Sequence, residues 1–462
     1  MLNRVLVANR GEIATRIIRE CKDNSIETVA VYSEADKNSL HVILADRGVC
    51  IGAAPSSQSY LNVGNIIESA KNTGCDGIHP GFGFLSENPD FARICEEEGI
   101  EFIGPSPDVI GKLGDKSQAK KTMRAAGVPV VPGSEGAVST MEEARQIASE
   151  VGFPVLLKAA AGGGGRGMRV AETLEEIESA YNEASMEAEK CFDDGRIYVE
   201  KLIRNPRHVE FQILADKFGN VIHLGERNCS IQRRNQKMLE EAPDFALSEE
   251  MRISMGTDAV KAAKAAGYEN AGTVEFIVNG DDYYFIEMNT RLQVEHPITE
   301  MITGVNIVRE QLRIASGLPL EFAQEDIKFS GHAIECRINA EDIFNDFSPS
   351  PGRVNFLHFP VGNQVRVESA LYSGCDISPF YDSMAAKIIV CGNTRLEAVR
   401  RMRRALEETV IKGIKTTLPI QHLIMYNREF LRGNYDTGFV EKNMAELLKL
   451  YEEAGGKDES LQ

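Results

Sequence analysis

Two acidic residues on either side of a predicted hairpin are the first candidates for chemistry. Residues 273–291 read TVEFIVNGDDYYFIEMNTR, in which two β-branched and aromatic runs flank the turn sequence NGDD. Glu275 lies nearly opposite Glu287: a three-residue loop pairs them directly, whereas a two-residue loop leaves them one residue out of register. Facing carboxylates repel unless a cation lies between them, and Mg²⁺ prefers carboxylate oxygens together with substrate phosphates. The pattern predicts a magnesium site, to which Asn289 adds a neutral oxygen; the alternative is a solvated polar sheet face.

A third acidic candidate follows the same hairpin. Asn289 and Arg291 alternate with Glu287 along the second strand, so the three side chains share one face. The chain continues LQVEHPITE, which places Glu295 in a loop just before a predicted helix. A carboxylate four residues from Arg291 is suited to act as a general base beside a guanidinium that binds an anion.

A glycine-rich turn is the candidate for phosphate binding. Residues 154–170 read PVLLKAAAGGGGRGMRV, in which a strand ends at Lys158 and the run Gly162 to Gly165 leads to Arg166. Glycines let backbone N–H groups approach a phosphate closely. The G-K-[ST] sequence of a P-loop is absent, so the pattern favours a hairpin that folds over phosphates. A mobile surface hairpin is the alternative.

Two further segments concentrate cations. Arg207 and His208 open a predicted strand, and residues 232–237 read QRRNQK. Cations so closely spaced in an acidic protein indicate an anion site, with a solvated basic patch as the alternative. In AIECRIN, residues 333–339, alternation places Arg337 on the polar face of a strand, where most arginines are merely solvated.

The elements that must position these residues form several units. A chain of 462 residues exceeds the size of a single core, so we expect two or three domains. The first hundred residues alternate strand and helix signals, which predicts a parallel sheet, and no dinucleotide fingerprint follows the first strand. The expected boundaries are 1–114 for this Rossmann-like unit, 115–204 for a linker and lid, 205–446 for the remainder, and 447–462 for a tail.

Bulk composition excludes several classes of function. The net charge of −18 argues against nucleic-acid binding and against a polybasic membrane anchor. The nine cysteines are odd in number and form no C-x-x-C pair, which favours a reducing compartment. The apolar run at the start is too short for a signal peptide, and no run is long enough to span a bilayer. We therefore expect a cytoplasmic protein without a membrane or nucleic-acid partner.

Seven sequence blocks together resemble the biotin carboxylases of the ATP-grasp superfamily. They span nearly the whole chain, and QVEHP with its upstream E-M-N-x-R is the most specific. The blocks are ANRGEIA at 8–14, HPGFGFLSEN at 79–88, KAAAGGGGRGM at 158–168, RHVEFQ at 207–212, GERNCSIQRRNQK at 225–237, EMNTRLQVEHPITE at 287–300 and FYDSMAAKIIV at 380–390.

The resemblance implies a fold and a set of cofactors. The fold is α/β (α+β), with an N-terminal parallel-sheet domain, an ATP-grasp domain with a mobile glycine-rich lid, and a C-terminal mixed α+β region. The cofactors are ATP and two Mg²⁺ or Mn²⁺ ions, which Glu275 and Glu287 bind with help from Asn289. The matching nucleotide positions are Lys116, Lys158, Gly164, Gly165, Glu200, Lys201, Ile203, His208, Gln232, Asn235, Glu275 and Glu287.

The resemblance also assigns chemical roles. Glu295 matches the general base that deprotonates bicarbonate, and Arg337 matches the residue that stabilises the biotin enolate. Glu200, Lys201 and Ile203 match the segment that holds the adenine. Many relatives carry histidine where this chain has Asn235, which keeps a hydrogen-bonding amide but cannot carry a charge. The matching catalytic and bicarbonate-binding positions are Lys237, Arg291, Gln293, Val294, Glu295 and Arg337.

Partners follow from the same resemblance. The chain has no A-M-K-M-like biotinylation motif, so we expect its biotin on a separate biotin carboxyl carrier protein, together with separate carboxyltransferase subunits. In the family, the helix carrying Arg16 and Arg19 meets the segment matching Asp382 across a homodimer interface; solvation of both arginines is the alternative. The expected acceptor is acetyl-CoA, in fatty-acid synthesis, with the biotin carboxylase subunit of a split pyruvate carboxylase as the runner-up.

Two rival functions stay open on the sequence. One is another ATP-grasp ligase, for instance one that makes carbamoyl phosphate. The other is a nucleotide-sensing subunit without catalysis, which requires the loss of at least one catalytic position. The chain retains all of those positions: Lys116, Lys158, Glu275, Glu287, Arg291, Glu295 and Arg337.

Overall fold

A five-stranded parallel sheet forms the N-terminal unit of the computed structural model, which describes residues 2–138, 140–159, 168–192 and 195–453. The strand order is β3-β2-β1-β4-β5, so β1 lies at the centre with fully buried side chains from Val5 to Val7. The elements are β1 (Arg4–Val7), α1 (Gly11–Asp23), β2 (Glu27–Ser33), α2 (Leu40–Leu44), β3 (Arg47–Gly52), α3 (Val63–Thr73), β4 (Gly77–His79), α4 (Pro89–Glu97), β5 (Glu101–Phe102) and α5 (Pro107–Gly114).

This sheet contributes to the site through its carboxyl edge. In open α/β sheets, the crevice outside the carboxyl ends of the strands is the place where ligands bind. Here the chain after β1 supplies Asn9 and Arg10, and the chain after β4 supplies Phe82 and Phe84, to one large cavity. The predicted parallel-sheet domain is confirmed, and its edge forms one wall of that cavity.

A small α/β unit follows the linker. Its three-stranded antiparallel sheet has the order β7-β6-β8, and alternating residues such as Val155, Leu157 and Val199 are buried against α7 and α8. The glycine run, including Gly164 and Gly165, lies outside the described residues. The elements are α6 (Lys116–Ala125), α7 (Met141–Val151), β6 (Val155–Ala159), β7 (Met168–Ala171), α8 (Ile177–Phe192) and β8 (Ile197–Lys201).

An eight-stranded sheet forms the floor of the cavity. Its order is β13-β12-β9-β10-β11-β14-β21-β19, and every neighbouring pair is antiparallel. The elements of this part are β9 (Arg207–Ala215), β10 (Val221–Arg233), β11 (Gln236–Ala242), α9 (Glu249–Ala266), β12 (Asn270–Asn279), β13 (Asp282–Asn289), α10 (His296–Thr303), α11 (Ile307–Ala315), β14 (His332–Asn339), β19 (Val365–Ser369) and β21 (Met384–Gly392).

The register of the β12–β13 hairpin decides whether the two predicted metal ligands face each other. Asn279 pairs with Asp282, so the loop has two residues, the alternative that leaves the glutamates out of register. A β-bulge between the Glu275–Glu287 and Phe276–Phe285 pairs inserts one extra residue in β13 and corrects the register. Glu275 therefore lies directly opposite Glu287 although the turn is short.

The C-terminal part adds helices to both faces of the large sheet. Ile388 and Met402 pack between the sheet and α12, whereas Ile389 packs with Ile298 of α10 on the other face. The remaining elements are β15 (Glu341–Asp342), β16 (Ser348–Pro349), β17 (Gly352–Arg353), β18 (Phe356–His358), β20 (Asp376–Ile377), α12 (Arg395–Glu408), β22 (Val410–Lys412), α13 (Leu418–Ile424), α14 (Arg428–Arg432) and α15 (Phe439–Glu453).

Two sequence predictions need correction at this level. The expected tail does not begin at residue 447, because α15 continues to Glu453 and Leu447 is buried in the C-terminal core. Arg16 is not a solvated residue of α1, because it is buried in ion pairs with Glu20 and Glu300 of its own chain. Among the described residues, none of the helices has the length and apolar composition needed to cross a bilayer.

Candidate active site

A cavity of about 1170 Å³ lies where the three parts of the molecule meet. Most of the predicted site residues line it, although they come from nine different helices and strands and from two loops. Lys201 and Ile203 are not on its wall, and the Lys201 ammonium instead donates to the carbonyls of Gly152 and Phe153. The predicted residues on the wall are Lys116, Lys158, Glu200, His208, Gln232, Asn235, Lys237, Glu275, Glu287, Asn289, Arg291, Gln293, Val294, Glu295 and Arg337.

Glu275 is surrounded by donors. Its Oε1 accepts from the Lys237 ammonium at 3.1 Å and from the side-chain amides of Asn289 and Gln293 at 2.9 Å each. Its Oε2 lies 3.0 Å from His208 Nε2. Burial raises the pKa of Glu275, but the charges of Lys237 and His208 outweigh it and hold that pKa well below its usual range. Glu275 is therefore an ionised carboxylate.

Asn289 differs from its prediction in orientation. Its amide nitrogen faces Glu275, and its oxygen accepts from Arg291 Nη2 at 2.9 Å. The buried carboxylate of Glu275 gathers N–H donors, which turns the predicted oxygen ligand away. A cation on Glu275 requires the amide to rotate, because a metal needs the oxygen.

Glu287 has the opposite environment. Its carboxylate makes no hydrogen bond or ion pair with any residue that the structure describes. Burial and the facing charge of Glu275 raise the pKa of Glu287. A half-buried acid without a partner, opposite an ionised one, is the arrangement that a divalent cation stabilises. In a separate grouping, His208, Glu210 and Glu275 place one ligand atom each within 4.8 Å of one another, so Glu275 lies where a metal ion could also be held.

A lysine connects this acidic pair to the predicted general base. The Lys237 ammonium donates to Glu210 at 2.5 Å and to Glu295 at 2.6 Å, besides its bond to Glu275. Glu210 is fully buried, and its other oxygen accepts from Arg227 Nε at 2.6 Å. The sequence analysis missed Glu210, although it lies two residues beyond His208 on β9 and so on the same face of the strand.

Glu295 is held in its ionised form. Its carboxylate is fully buried and contacts Lys237 at 2.6 Å and Arg337 Nη2 at 3.0 Å. Burial raises the pKa of Glu295, but the charges of Lys237, Arg337 and Arg227 hold it well below its usual range. Among its neighbours, Cys229 is buried, and burial raises the pKa of its thiol well above its usual value, which favours an inert buried residue over a nucleophile.

Arg337 bridges two carboxylates. Its Nη2 lies 3.0 Å from Glu295 and 2.6 Å from Glu240, a residue that the sequence analysis missed. Glu240 is buried directly opposite Glu335 on the neighbouring strand, so a third acid lies close to this pair of carboxylates. Burial and the charge of Glu295 raise the pKa of Glu240 to about 7, although the charge of Arg337 lowers it.

The raised pKa of Glu240 predicts a pH-dependent stability. Glu240 adds stability that is complete below its unfolded pKa of 4.5 and is lost as pH rises towards about 7. Across this window the parent chain should lose free energy of unfolding on the order of 2 kcal/mol, and Glu240→Gln should not show this loss. Thermal unfolding of both proteins at pH 5.5 and pH 8 measures it, with exposed Glu250→Gln as control. An identical pH dependence in Glu240→Gln and the parent chain would contradict the assignment.

Arg291 is oriented from three sides. Its Nε donates to Glu87 at 2.9 Å, and its other nitrogens donate to Gln293 at 2.7 Å and to Asn289 at 2.9 Å. Glu87 lies in the HPGFGFLSEN block of the N-terminal unit, whereas the other two residues belong to the large sheet and its loop. The ion pair between Arg291 and Glu87 therefore joins two parts of the molecule at the site, and only the tertiary structure reveals it.

Lysines crowd the end of the cavity that the small α/β unit lines. Lys120 and Lys158 both donate to the Glu200 carboxylate. Burial and the neighbouring Lys158 lower the pKa of Lys120 to about 6, and burial and Lys116 lower that of Lys158 to about 8. Lys120 was missed, although it lies one helical turn after Lys116 on α6. Cations with lowered pKa values in a shared cavity indicate an anion-binding end.

The fold and this cavity define a class. A small α/β unit that brings lysines to the cavity, together with a facing carboxylate pair beside a buried acid, is the arrangement of an ATP-grasp ligase site. Residues 115–323 match the family model "Carbamoyl-phosphate synthase L chain, ATP binding domain". Residues 1–110 match "Biotin carboxylase, N-terminal domain", and residues 335–442 match "Biotin carboxylase C-terminal domain". The chain belongs to the biotin carboxylase family, as its sequence blocks predicted.

Similar proteins and structures agree on the family. Biotin carboxylase 1 of Bacillus subtilis is 56% identical over 96% of this chain and 98% of its own length. The pyruvate carboxylase of Methanothermobacter thermautotrophicus has a subunit that is 52% identical over 100% of this chain and 95% of its own length. The Campylobacter jejuni biotin carboxylase structure, a β-γ-ATP complex, is 50% identical with a TM-score of 0.91 over 96% of this chain and 99% of that chain.

One further structure bears on ligands. It is the biotin carboxylase domain dimer of the Hydrogenobacter thermophilus 2-oxoglutarate carboxylase, in complex with MgADP, ADP and bicarbonate. It is 52% identical to this chain with a TM-score of 0.91, covering 97% of this chain and 99% of that one. The similar proteins thus include subunits of carboxylases that are named for different acceptors, pyruvate and 2-oxoglutarate.

Proposed function

We propose that this protein carboxylates biotin on a separate carrier protein, using ATP and bicarbonate through a carboxyphosphate intermediate. The observation that carries the proposal is the buried carboxylate of Glu295, which is ionised and held by Lys237 and Arg337 next to the Glu275–Glu287 pair. What supports the proposal is that a proton acceptor, cations suited to a small oxyanion and a facing carboxylate pair suited to a metal line one cavity.

The nucleotide lies with its phosphates towards the lysine end and the carboxylate pair. Lys116 and Lys158 contact phosphate oxygens, and the charge they meet there raises the lowered pKa of Lys158. Glu275, Glu287 and Asn289 hold Mg²⁺ or Mn²⁺, which when bound supplies positive charge to the transferring phosphoryl group.

Bicarbonate binds beside Glu295. Its negative charge is met by Lys237 and Arg291, and by the polar groups of Gln293 and Val294. As the anion takes over part of the charge of Lys237, the pKa of Glu295 rises and the carboxylate becomes a better base. The O–H proton of bicarbonate passes to Glu295 while the oxygen attacks the γ-phosphorus, and ADP leaves with the electrons of the broken P–O bond.

Biotin is carboxylated in the second step. Carboxyphosphate releases CO₂ and phosphate, and the phosphate takes the proton from biotin N1. Arg337 stabilises the negative ureido oxygen of the enolate, which attacks CO₂ through N1. Arg337 can serve this oxygen because its partners Glu240 and Glu295 hold it at the cavity wall.

Free biotin tests the proposal against its rivals. We expect biotin to stimulate ADP release in the presence of ATP, Mg²⁺ and bicarbonate, because only a biotin carboxylase has a site for it. A flat response at high biotin with steady bicarbonate-dependent ADP release would favour a ligase of the carbamoyl-phosphate type. The absence of any ATP turnover would favour a nucleotide sensor.

The complete assembly is part of the same proposal. The chain works as a homodimer in the cytoplasm with a biotin carboxyl carrier protein and carboxyltransferase subunits, and it carboxylates acetyl-CoA for fatty-acid synthesis. Arg19 of α1, half exposed beside Glu368, is available to the dimer interface, whereas Arg16 is not.

The biotin carboxylase subunit of a split pyruvate carboxylase is the second candidate, since a relative from such an enzyme matches this chain over its full length. Isolation of the biotinylated protein that co-purifies with this chain, and of its acyl acceptor, separates the two.

A further inference from the structure

A buried ion pair connects two sequence blocks that the proposed function leaves without a role. Glu12 lies in ANRGEIA at the start of α1, and Lys387 lies in FYDSMAAKIIV on β21. The Lys387 ammonium is 3.0 Å from Glu12 Oε1, and their side chains are 0% and 4% exposed. The pair therefore joins the N-terminal unit to the large sheet at a position without solvent access.

Lys387 makes a second contact, and this one reaches the bicarbonate loop. Its Nζ donates to the backbone carbonyl of Val294 at 2.7 Å. The Val294 carbonyl and the N–H of Glu295 belong to one planar peptide group. A donor that fixes this carbonyl therefore fixes the peptide plane immediately before the Cα atom of Glu295, and so the direction in which the Glu295 side chain leaves the backbone.

The strand register explains why Lys387 reaches this loop. On the sheet, Lys387 lies between Arg337 of β14 and Glu368 of β19. This face of β21 is covered by α10, whose first residue is His296, so the loop at Val294 lies above the lysine. The same face thus presents Arg337 to the cavity and Lys387 to the backbone behind Glu295.

Glu12 depends on Lys387. Its carboxylate is buried, and neither oxygen accepts a geometrically acceptable hydrogen bond from a described residue. Its one ion pair within the described residues is with Lys387. A buried carboxylate without other donors attracts the ammonium strongly, which keeps the lysine extended across the interface between the two units.

We propose that Lys387 is a positioning residue for the bicarbonate step: it fixes the Val294–Glu295 peptide, and Glu12 keeps its ammonium in place. This inference rests on the proposed function, because bicarbonate is the substrate that it concerns. A purely structural role for the pair predicts a loss of stability only, whereas a positioning role predicts a selective change in bicarbonate use.

Lys387→Met, which keeps the length of the side chain, is the decisive variant. We expect its KM for bicarbonate to rise about 10-fold, the size of one lost charge-assisted hydrogen bond, with the KM for ATP unchanged within about twofold. The double variant Lys387→Met with Glu12→Gln removes the Glu12 charge that Lys387→Met leaves unpaired, so we expect it to recover part of the thermal stability while it keeps the bicarbonate defect. Arg395→Met is the matched control, because it breaks a buried ion pair with Glu241 away from the cavity.

The possible outcomes are distinct. If Lys387→Met and Arg395→Met lose similar stability and only the former raises the bicarbonate KM, the inference holds. It is overturned if the bicarbonate KM of Lys387→Met stays within about twofold of the parent chain, or if the double variant recovers both stability and KM. A parent chain without bicarbonate-dependent ATP cleavage would instead overturn the proposed function, and this inference with it.

Discussion

Replacement of Glu295 by glutamine is expected to lower bicarbonate-dependent ATP cleavage by about 10²–10⁴-fold, the usual effect of removing a general base. Glutamine fills the same buried space and can still contact Lys237 and Arg337, but it cannot accept the proton of bicarbonate. Because Glu295 does not face the lysine end of the cavity, ATP affinity should change little. Initial rates of ADP release at saturating bicarbonate, together with nucleotide binding by calorimetry, measure both effects.

The control for this prediction is another buried, paired glutamate. Glu226 is 1% exposed and accepts from Arg252 at 2.8 Å, but it does not line the cavity. Glu226→Gln also neutralises a buried carboxylate that is paired with an arginine, although Arg252 keeps its ion pair with Glu249, so it reproduces part of the structural cost of the change. Turnover should survive in Glu226→Gln and fail in Glu295→Gln; equal turnover in both variants would remove Glu295 from the mechanism.

Replacement of Glu287 by glutamine should abolish most ATP cleavage without destabilising the protein. Loss of groups that merely orient metal ligands costs about 10–100-fold, so loss of a direct ligand should cost at least about 100-fold. Glu287 has no partner among the described residues and faces the ionised Glu275, so a neutral amide relieves repulsion. We expect a thermal unfolding temperature equal to or above that of the parent chain, with activity partly recovered at high Mn²⁺.

Glu275→Gln and Asp282→Asn complete this test. Glu275 holds Lys237, Asn289 and Gln293, so its loss should lower both activity and stability. Asp282 is exposed near the turn of the same hairpin, and its replacement should change neither. A Glu287→Gln variant that turns over normally, or one that unfolds as readily as Glu275→Gln, would show that the facing pair does not hold a metal.

Much of the site could be predicted because its signals are local. Alternation along β13 placed Glu287, Asn289 and Arg291 on one face, and the loop after it placed Glu295 before α10. Strand periodicity and turn chemistry determine such relations within a few residues. The sequence blocks then indicated the family, which the similar proteins confirm.

Other partners could not be predicted from local signals. Glu87 reaches Arg291 from the N-terminal unit, Glu240 reaches Arg337 from a neighbouring strand, and Lys120 reaches Glu200 across the lid. Each contact joins residues at least 80 positions apart, and no periodicity links them. Arg16 shows the same limit, because its helical face favoured solvation and the family resemblance implied an intersubunit contact, whereas its partner in the structure is Glu300.

The sequence by itself determined the family, the parallel-sheet unit and the types of side chain available for catalysis. The tertiary structure decided which of these carboxylates are ionised: Glu275 and Glu295 lie among cations, whereas Glu287 and Glu240 have raised pKa values. It also decided the pairing of Glu275 with Glu287, through one bulge that no turn signal indicates. The physical reason is that burial and neighbouring charge set the state of an acid, and both depend on strands that are distant in sequence.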